Sequence, residues 1–135
     1  MIRYLADTNI LGYLARRSSA PLQSRMRAAM EANEVAISVV TRAETRFGQR
    51  LLNSDDRRHA TIDALLQEMP VLMWTSDAAD RYGDLAAALQ RKGQPIGTMD
   101  TMIAAHALAE SLILVTHNIR DFKRVPGLVI EDWAV

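Results

Sequence analysis

Four acids in this chain stand among neighbours that do not suit a solvated charge: Asp7, Glu44, Asp100 and Asp121. Asp7 closes the apolar run Ile2–Ala6. Glu44 shares one helical face with Phe47 and Leu51, and Asp100 shares one with Ile103, Ala104 and Ala107. Asp121 follows the run Leu112–Val115 and the segment Thr116-His117-Asn118. Carboxylates on apolar stripes are rare unless they are paired or bind a metal. The nearest cations in sequence, Arg42, Arg46 and Arg50, run along a different face of the Glu44 helix. Acids gathered without cations raise one another's pKa, and a divalent cation removes that conflict. An all-oxygen donor set selects a hard ion, Mg²⁺ or Mn²⁺.

Each acid also has a plainer reading. Thr41 and Glu44 have the spacing of a capping box, and Asn118 and Asp121 repeat it. Asp100 falls in a first helical turn, where the macrodipole favours negative charge, and Asp7 can cap the first helix. Asp77, Asp80 and Asp84 mark the contrast. They interleave with the apolar positions Ala78, Tyr82, Leu85 and Leu89 of one amphipathic helix and read as its solvated face.

The elements that must position the four acids follow from hydrophobic periodicity. Strands are expected at Ile2–Ala6, Val35–Val39, Val71–Trp74, Leu112–Val115 and Leu128–Ile130. Helices are expected at Asn9–Arg16, Pro21–Ala32, Thr41–Leu52, Asp56–Glu68, Ser76–Arg91 and Thr98–Ala109, with a Gly/Pro loop at Lys92–Gly97. Short apolar strands alternating with helices predict an α/β fold: a mainly parallel sheet covered on both faces, three layers deep. Ligands bind such sheets outside the carboxyl ends of the strands, where all four acids are expected.

With 135 residues and no internal repeat or linker, the chain reads as one domain, residues 1–135. The absence of cysteine excludes thiolate metal sites, disulfides and cysteine nucleophiles. The N-terminal apolar run is broken by Arg3 and Asp7, too early for a signal peptide or membrane span, so a cytoplasmic protein without a membrane partner is expected. A net charge of zero argues against a broad phosphate-tracking surface. Fourteen of the sixteen cations are nevertheless arginine, whose planar fork matches phosphate oxygens. His59 and His106 read as structural, and His117 lies beside Asn118 at the expected active edge.

At these residues the sequence resembles the PIN-domain nucleases of the VapC toxin type. The resemblance is carried by Asp7-Thr8-Asn9-Ile10, by Ser38-Val39-Val40-Thr41-x-x-Glu44, and by Gly93-Gln94-Pro95-Ile96-Gly97-x-x-Asp100-x-x-Ile103-Ala104-x-His106-Ala107. Leu114-Val115-Thr116-His117-Asn118-x-x-Asp121-Phe122 and Leu128-x-x-Glu131-Asp132-Trp133 complete it. It implies a Mg²⁺-dependent endoribonuclease, acting on RNA as a homodimer and inhibited by a cognate VapB-type antitoxin. In that family's terms Asp7, Glu44, Asp100 and Asp121 are the acidic quartet, with Asp7, Asp100 and Asp121 on the metal. Thr8, Asn9, Thr116 and Asn118 are then the residues that support the carboxylates or the substrate phosphate.

Such an ion lowers the pKa of water, screens the phosphodiester and stabilises the leaving oxygen. The products expected are a 5′-phosphate and a 3′-hydroxyl. The competing readings are a receiver-type signalling domain and a PIN domain that binds without cutting. A receiver wants paired acids after the first strand and a lysine ending the last one, whereas Asp7 is followed by Thr8-Asn9 and neither Lys92 nor Lys123 clearly ends a strand. A binding-only PIN domain would normally have lost one of the acids, and all four are present.

Overall fold

The computed structural model describes residues 1–135. The strands are β1 (Tyr4–Ala6), β2 (Val35–Ser38), β3 (Val71–Leu72), β4 (Ile113–Val115) and β5 (Ile130–Glu131). They form one sheet in the order β3-β2-β1-β4-β5, with every pair parallel. The helices are α1 (Thr8–Arg16), α2 (Ala20–Glu31), α3 (Val39–Arg50), α4 (Arg58–Glu68), α5 (Ser76–Arg91), α6 (Thr98–Ala109) and α7 (Ile119–Phe122).

Period-two alternation assigns the two faces of the sheet. Tyr4, Ala6, Val35, Ile37 and Val115 point into a core shared with Ile10, Leu14, Leu22, Met26, Ile62 and Leu66 of α1, α2 and α4. Leu5 and Leu114 point the other way, into a core built with Leu85, Leu89, Ile103, Ala104 and Ala107 of α5 and α6. The result is the expected three-layer α/β/α arrangement. β1 and β2 are buried at every position, which is why their sequences are apolar up to Ser38, the last residue of β2. The small residues of α6 (Ala104, Ala105 and Ala107, all fully buried) let it lie close against the sheet.

The chain order reverses between β1 and β4. β1 is followed outward on one side by β2 and β3, and on the other by β4 and β5. A crevice opens at the carboxyl ends of the strands at such a point. Asp7 immediately follows β1, and Thr116 immediately follows β4.

Several boundaries differ from the sequence expectation, each for a local reason. α3 begins at Val39 rather than Thr41, because the Ser38 hydroxyl accepts from the Val40 N–H at 3.1 Å and caps the helix two residues early. Thr41 is therefore inside the helix and fully buried, and the expected Thr41–Glu44 capping box does not form. β3 stops at Leu72 and β5 is shifted to Ile130–Glu131, since only those residues pair with a neighbour. The short helix α7, absent from the sequence reading, covers the Asp121 segment. α5 and α6 have the expected limits.

Candidate active site

Asp7 is the anchor of the site and is 1 % exposed. Its Oδ1 accepts from the Ile10 N–H at 2.9 Å and so caps α1, while its Oδ2 accepts from the Thr116 hydroxyl at 2.6 Å. The capping role and the site role therefore belong to one carboxylate. Burial pushes its pKa up to about 6. The hydrogen bonds from Thr116 and Ile10 oppose that rise, and the negative charges of Asp100 and Glu44 add to it.

Thr8 turns the next acid toward the same edge. Its hydroxyl donates to Glu44 Oε1 at 2.6 Å, joining the start of α1 to α3. Asp100, in the first turn of α6, is half-buried, and its carboxyl is raised first by burial and then by the charges of Glu44 and Asp121. Asn118 Nδ2 donates to Asp121 Oδ2 at 3.1 Å, and the Asn118 N–H donates to the Thr116 hydroxyl at 2.9 Å. Thr116 and Asn118 thus link Asp7 to Asp121 in one hydrogen-bonded chain. Asn9 is exposed at the start of α1, lining one groove with Thr8 and Glu44.

None of the five ion pairs in the molecule includes Asp7, Glu44, Asp100 or Asp121. Arg46 is held by Asp63 at 2.7 Å, and Arg42 donates to the Leu66 carbonyl at 3.1 Å, so neither neutralises Glu44. These bonds also take up two members of the arginine stripe noted in the sequence. The four acids influence one another without closing on a single point: no group of three or more His, Asp or Glu side chains stands at metal-ligating spacing. The donor set nonetheless suits a hard cation, being all oxygen, partly desolvated and free of competing cations. An ion that keeps much of its water shell needs few direct protein ligands.

One expectation about Glu44 is corrected. Phe47 and Leu51 share its helix face, but they are 68 % and 73 % exposed, so that stripe does not enter the core. The buried face of α3 is Val40, Thr41, Thr45 and Gln49. It tolerates polar groups in part because the Gln49 amide donates to Asp63 at 2.9 Å and accepts from Arg46 at 2.8 Å.

Two further histidine contacts shape the surroundings. His106 is fully buried in α6, with Nδ1 2.8 Å from the Ser38 hydroxyl that caps α3. It ties the helix that carries Asp100 to the helix that carries Glu44, and burial lowers its pKa, which keeps the ring neutral. His117 Nδ1 lies 2.7 Å from Asp132, and its ring meets Tyr13 edge-on with centroids 5.4 Å apart. The sequence signalled Ser38 only as part of the strand Val35–Val39 and of the motif leading to Glu44, and the partners of both histidines lie too far away in the chain to be read from it. His59, whose Nε2 lies 2.9 Å from the Asn53 carbonyl, serves a local turn.

The sequence model of the PIN domain matches residues 4–128. The chain belongs to the PIN-domain family. Within that family it falls among the VapC ribonucleases. It is 36% identical over 134 residues to a protein named Ribonuclease VapC2 from Haemophilus influenzae, covering 99% of this chain and 100% of that one. It is 35% identical, with the same two coverages, to the tRNA(fMet)-specific endonuclease VapC of Shigella flexneri. Its fold superposes on the VapBC2 complex of Rickettsia felis bound to promoter DNA with a TM-score of 0.89 at 32% identity, covering 98% of this chain and 99% of that one. This PIN domain therefore has full-length relatives, and its four sequence-predicted acids stand on the same edge of the sheet. No helix is long and apolar enough to cross a membrane.

Proposed function

We propose that this PIN domain is a Mg²⁺- or Mn²⁺-dependent endoribonuclease, the toxin of a toxin–antitoxin pair. The observation that carries the reading is a set of four carboxylates without cationic partners at the switch point of a parallel sheet, one of them with a pKa pushed up to about 6. The full-length similarity to VapC ribonucleases supports RNA as substrate. Superposition on VapBC complexes supports a VapB-type antitoxin as partner. Such a partnership belongs in the cytoplasm, where RNA is exposed.

In this reading Asp7 and Asp100 would hold the ion directly, and Asp121 would complete the site. When bound, the ion supplies Lewis-acid activation of water and charge stabilisation on the phosphate. Glu44, oriented by Thr8, holds the attacking water in line with the scissile bond. Thr116 keeps the Asp7 carboxylate fixed, and Asn118 does the same for Asp121. Asn9, exposed at the rim, is the free amide available to a phosphate oxygen. The P–O3′ bond breaks, leaving a 5′-phosphate and a 3′-hydroxyl.

A homodimer is part of the proposal. Phe47, Leu51, Met73 and Met99 are exposed apolar side chains, Phe47 three residues from Glu44 and Met99 next to Asp100. They are what a second copy would cover. The deciding experiment incubates the antitoxin-free protein with total RNA, with Mg²⁺ or with EDTA, and sequences the new 5′ ends. Metal-dependent 5′-phosphate ends are expected. Full activity in EDTA, or 2′,3′-cyclic phosphate products, would sink the metal reading.

A further inference from the structure

A groove of about 350 Å³ leaves the acidic edge between α1 on one side and α3 and α4 on the other. It starts at Thr8 and Glu44 and runs past Tyr13 to Arg16 and Arg58. There it meets a wider basin whose rim adds Arg17 and Arg57. Charge changes sign along this path. Asp7, Glu44, Asp100 and Asp121 mark one end. The far end carries four arginines against Asp55 and Asp56. Asp56 is committed to Arg58 through two hydrogen bonds of 3.0 and 2.7 Å from the guanidinium and one of 2.9 Å from the backbone N–H, which leaves Arg16, Arg17 and Arg57 opposite Asp55 alone. All three of these arginines are exposed.

The walls of the groove are cut back at its middle. Gly12 lines it on α1 and Gly48 lines it on α3. A Cβ at Gly48 would meet no atom within 4 Å, so open space and not close helix packing lies above it. Arg16 folds back against Gly12, its Nη1 3.8 Å from where a Cβ would stand there, and one aromatic ring lies beside it. The Arg16 guanidinium lies 5.0 Å above the Tyr13 ring, which is braced from another side by His117. An aromatic ring layered with a guanidinium, with further cations close by for phosphates, is an arrangement that holds single strands without sequence reading, a base entering where the Arg16 side chain swings off the ring.

We propose that this groove holds the single-stranded RNA flanking the scissile phosphate, with Tyr13 stacking a base and Arg16, Arg17 and Arg57 binding successive phosphates. The proposal rests on the ribonuclease reading for its ligand, and it assigns the cationic end of the groove a role that the four acids do not need. Charge selects a polyanion here over an antitoxin segment. It also explains how a protein of zero net charge brings a polyanion to a cluster of carboxylates: the attraction is placed along the strand and not around the cut.

The test measures binding in EDTA, apart from cleavage, by fluorescence anisotropy of a labelled single-stranded RNA of about 20 nucleotides, longer than an ordinary single-strand footprint. The variants are the double substitution Arg16→Gln/Arg57→Gln and the uncharged Gly48→Leu, which fills the groove where the backbone has room. Both should weaken binding, the double variant by about tenfold. The double variant should also lower the slope of log affinity against log salt by about 1.4, for two lost phosphate contacts, while Gly48→Leu leaves the slope unchanged. The deficit should shrink when the probe is a tetranucleotide. Wild-type affinity in both variants overturns the groove, and so does an equal loss on the short and long probes. Loss of VapB-type antitoxin binding with RNA affinity intact would assign the groove to the antitoxin and overturn it as well. Wild-type protein that binds the RNA but never cuts it with Mg²⁺ would instead overturn the nuclease reading and leave the groove standing.

Discussion

The Thr116 hydroxyl lies 2.6 Å from Asp7 Oδ2, joining residues 109 positions apart across the ends of β4 and β1. This bond closes the switch point of the sheet and fixes the most buried acid of the site. The same hydroxyl accepts the Asn118 N–H, so one side chain serves two of the four acidic positions.

Thr116→Val keeps the shape and removes that bond. It should destabilise the fold by about 1–3 kcal/mol, because a buried carboxylate loses a donor. The Asp7 pKa should climb further, since the Thr116 bond is what most opposes the rise. The acid limb of the pH–rate profile should move up with it, and Thr116→Ser should restore both. Urea melts and a pH–rate series measure the two effects, and an unmoved limb in the valine variant would separate Thr116 from the reaction.

Asp7 makes metal-free stability depend on pH in a defined direction. Its pKa is about 6 in the fold against 3.8 for an aspartate carboxyl in water. Where both states are protonated, below about pH 4, the ionised form costs nothing. As pH rises through the window between the two values, the unfolded chain ionises first and stability is lost. Above about pH 6 the loss is complete, at roughly 3 kcal/mol from 1.36 kcal/mol per unit. Asp7→Asn should therefore gain on wild type in EDTA as pH rises from about 4 to 7, and abolish cleavage. Equal pH dependence in both proteins would show that Asp7 does not carry the shift.

Asp100→Asn removes one charge from a half-buried group that Glu44 and Asp121 push upward. In EDTA it should melt at or above wild type. Mg²⁺ at ten times its Kd should stabilise wild type by about 1.4 kcal/mol, a rise of roughly 3–6 °C. The variant should lose most of that rise together with cleavage. A variant that melts lower in EDTA yet keeps the full Mg²⁺ response would make Asp100 an ordinary first-turn acid.

Thr8→Val frees Glu44 from its 2.6 Å partner at the head of α1. The bond is only partly buried, so the stability change should stay within about 1 kcal/mol. The cost should appear in kcat, about tenfold, with KM little changed, because a misaimed carboxylate fails at the reacting atom. Thr8→Ser should recover the rate. Steady-state kinetics on a defined RNA distinguish this from a binding defect, which would raise KM instead.

Arresting a host requires the acids to act in the cell. Expression of the wild-type chain should stop bacterial growth, co-expression with the adjacent upstream antitoxin gene should relieve it, and Asp7→Asn should be harmless alone. Colony counts after induction decide the matter, and arrest by the Asp7→Asn protein would place toxicity elsewhere.

The sequence by itself determined the layered fold and the identity of the four acids. Short apolar runs such as Val35–Ile37, rich in β-branched residues and alternating with helical patterns, read as strands buried on both faces, and Asp7 at the end of such a run reads as lying at the sheet edge. Local chemistry of this kind is written in neighbouring residues. Tertiary structure alone decided which face of α3 turns inward. Phe47 and Leu51 carry the greater hydrophobicity, yet Thr45 and Gln49 are buried, because α4 brings Asp63 to satisfy the Gln49 amide. The family resemblance named Thr8 and Thr116 as supports, but which acid each one holds was hidden, as was the pairing of His106 with Ser38, since these partners lie between 36 and 109 residues apart. A hydrogen bond over such a separation has no periodicity to announce it; it exists only once parallel strands have brought their ends together.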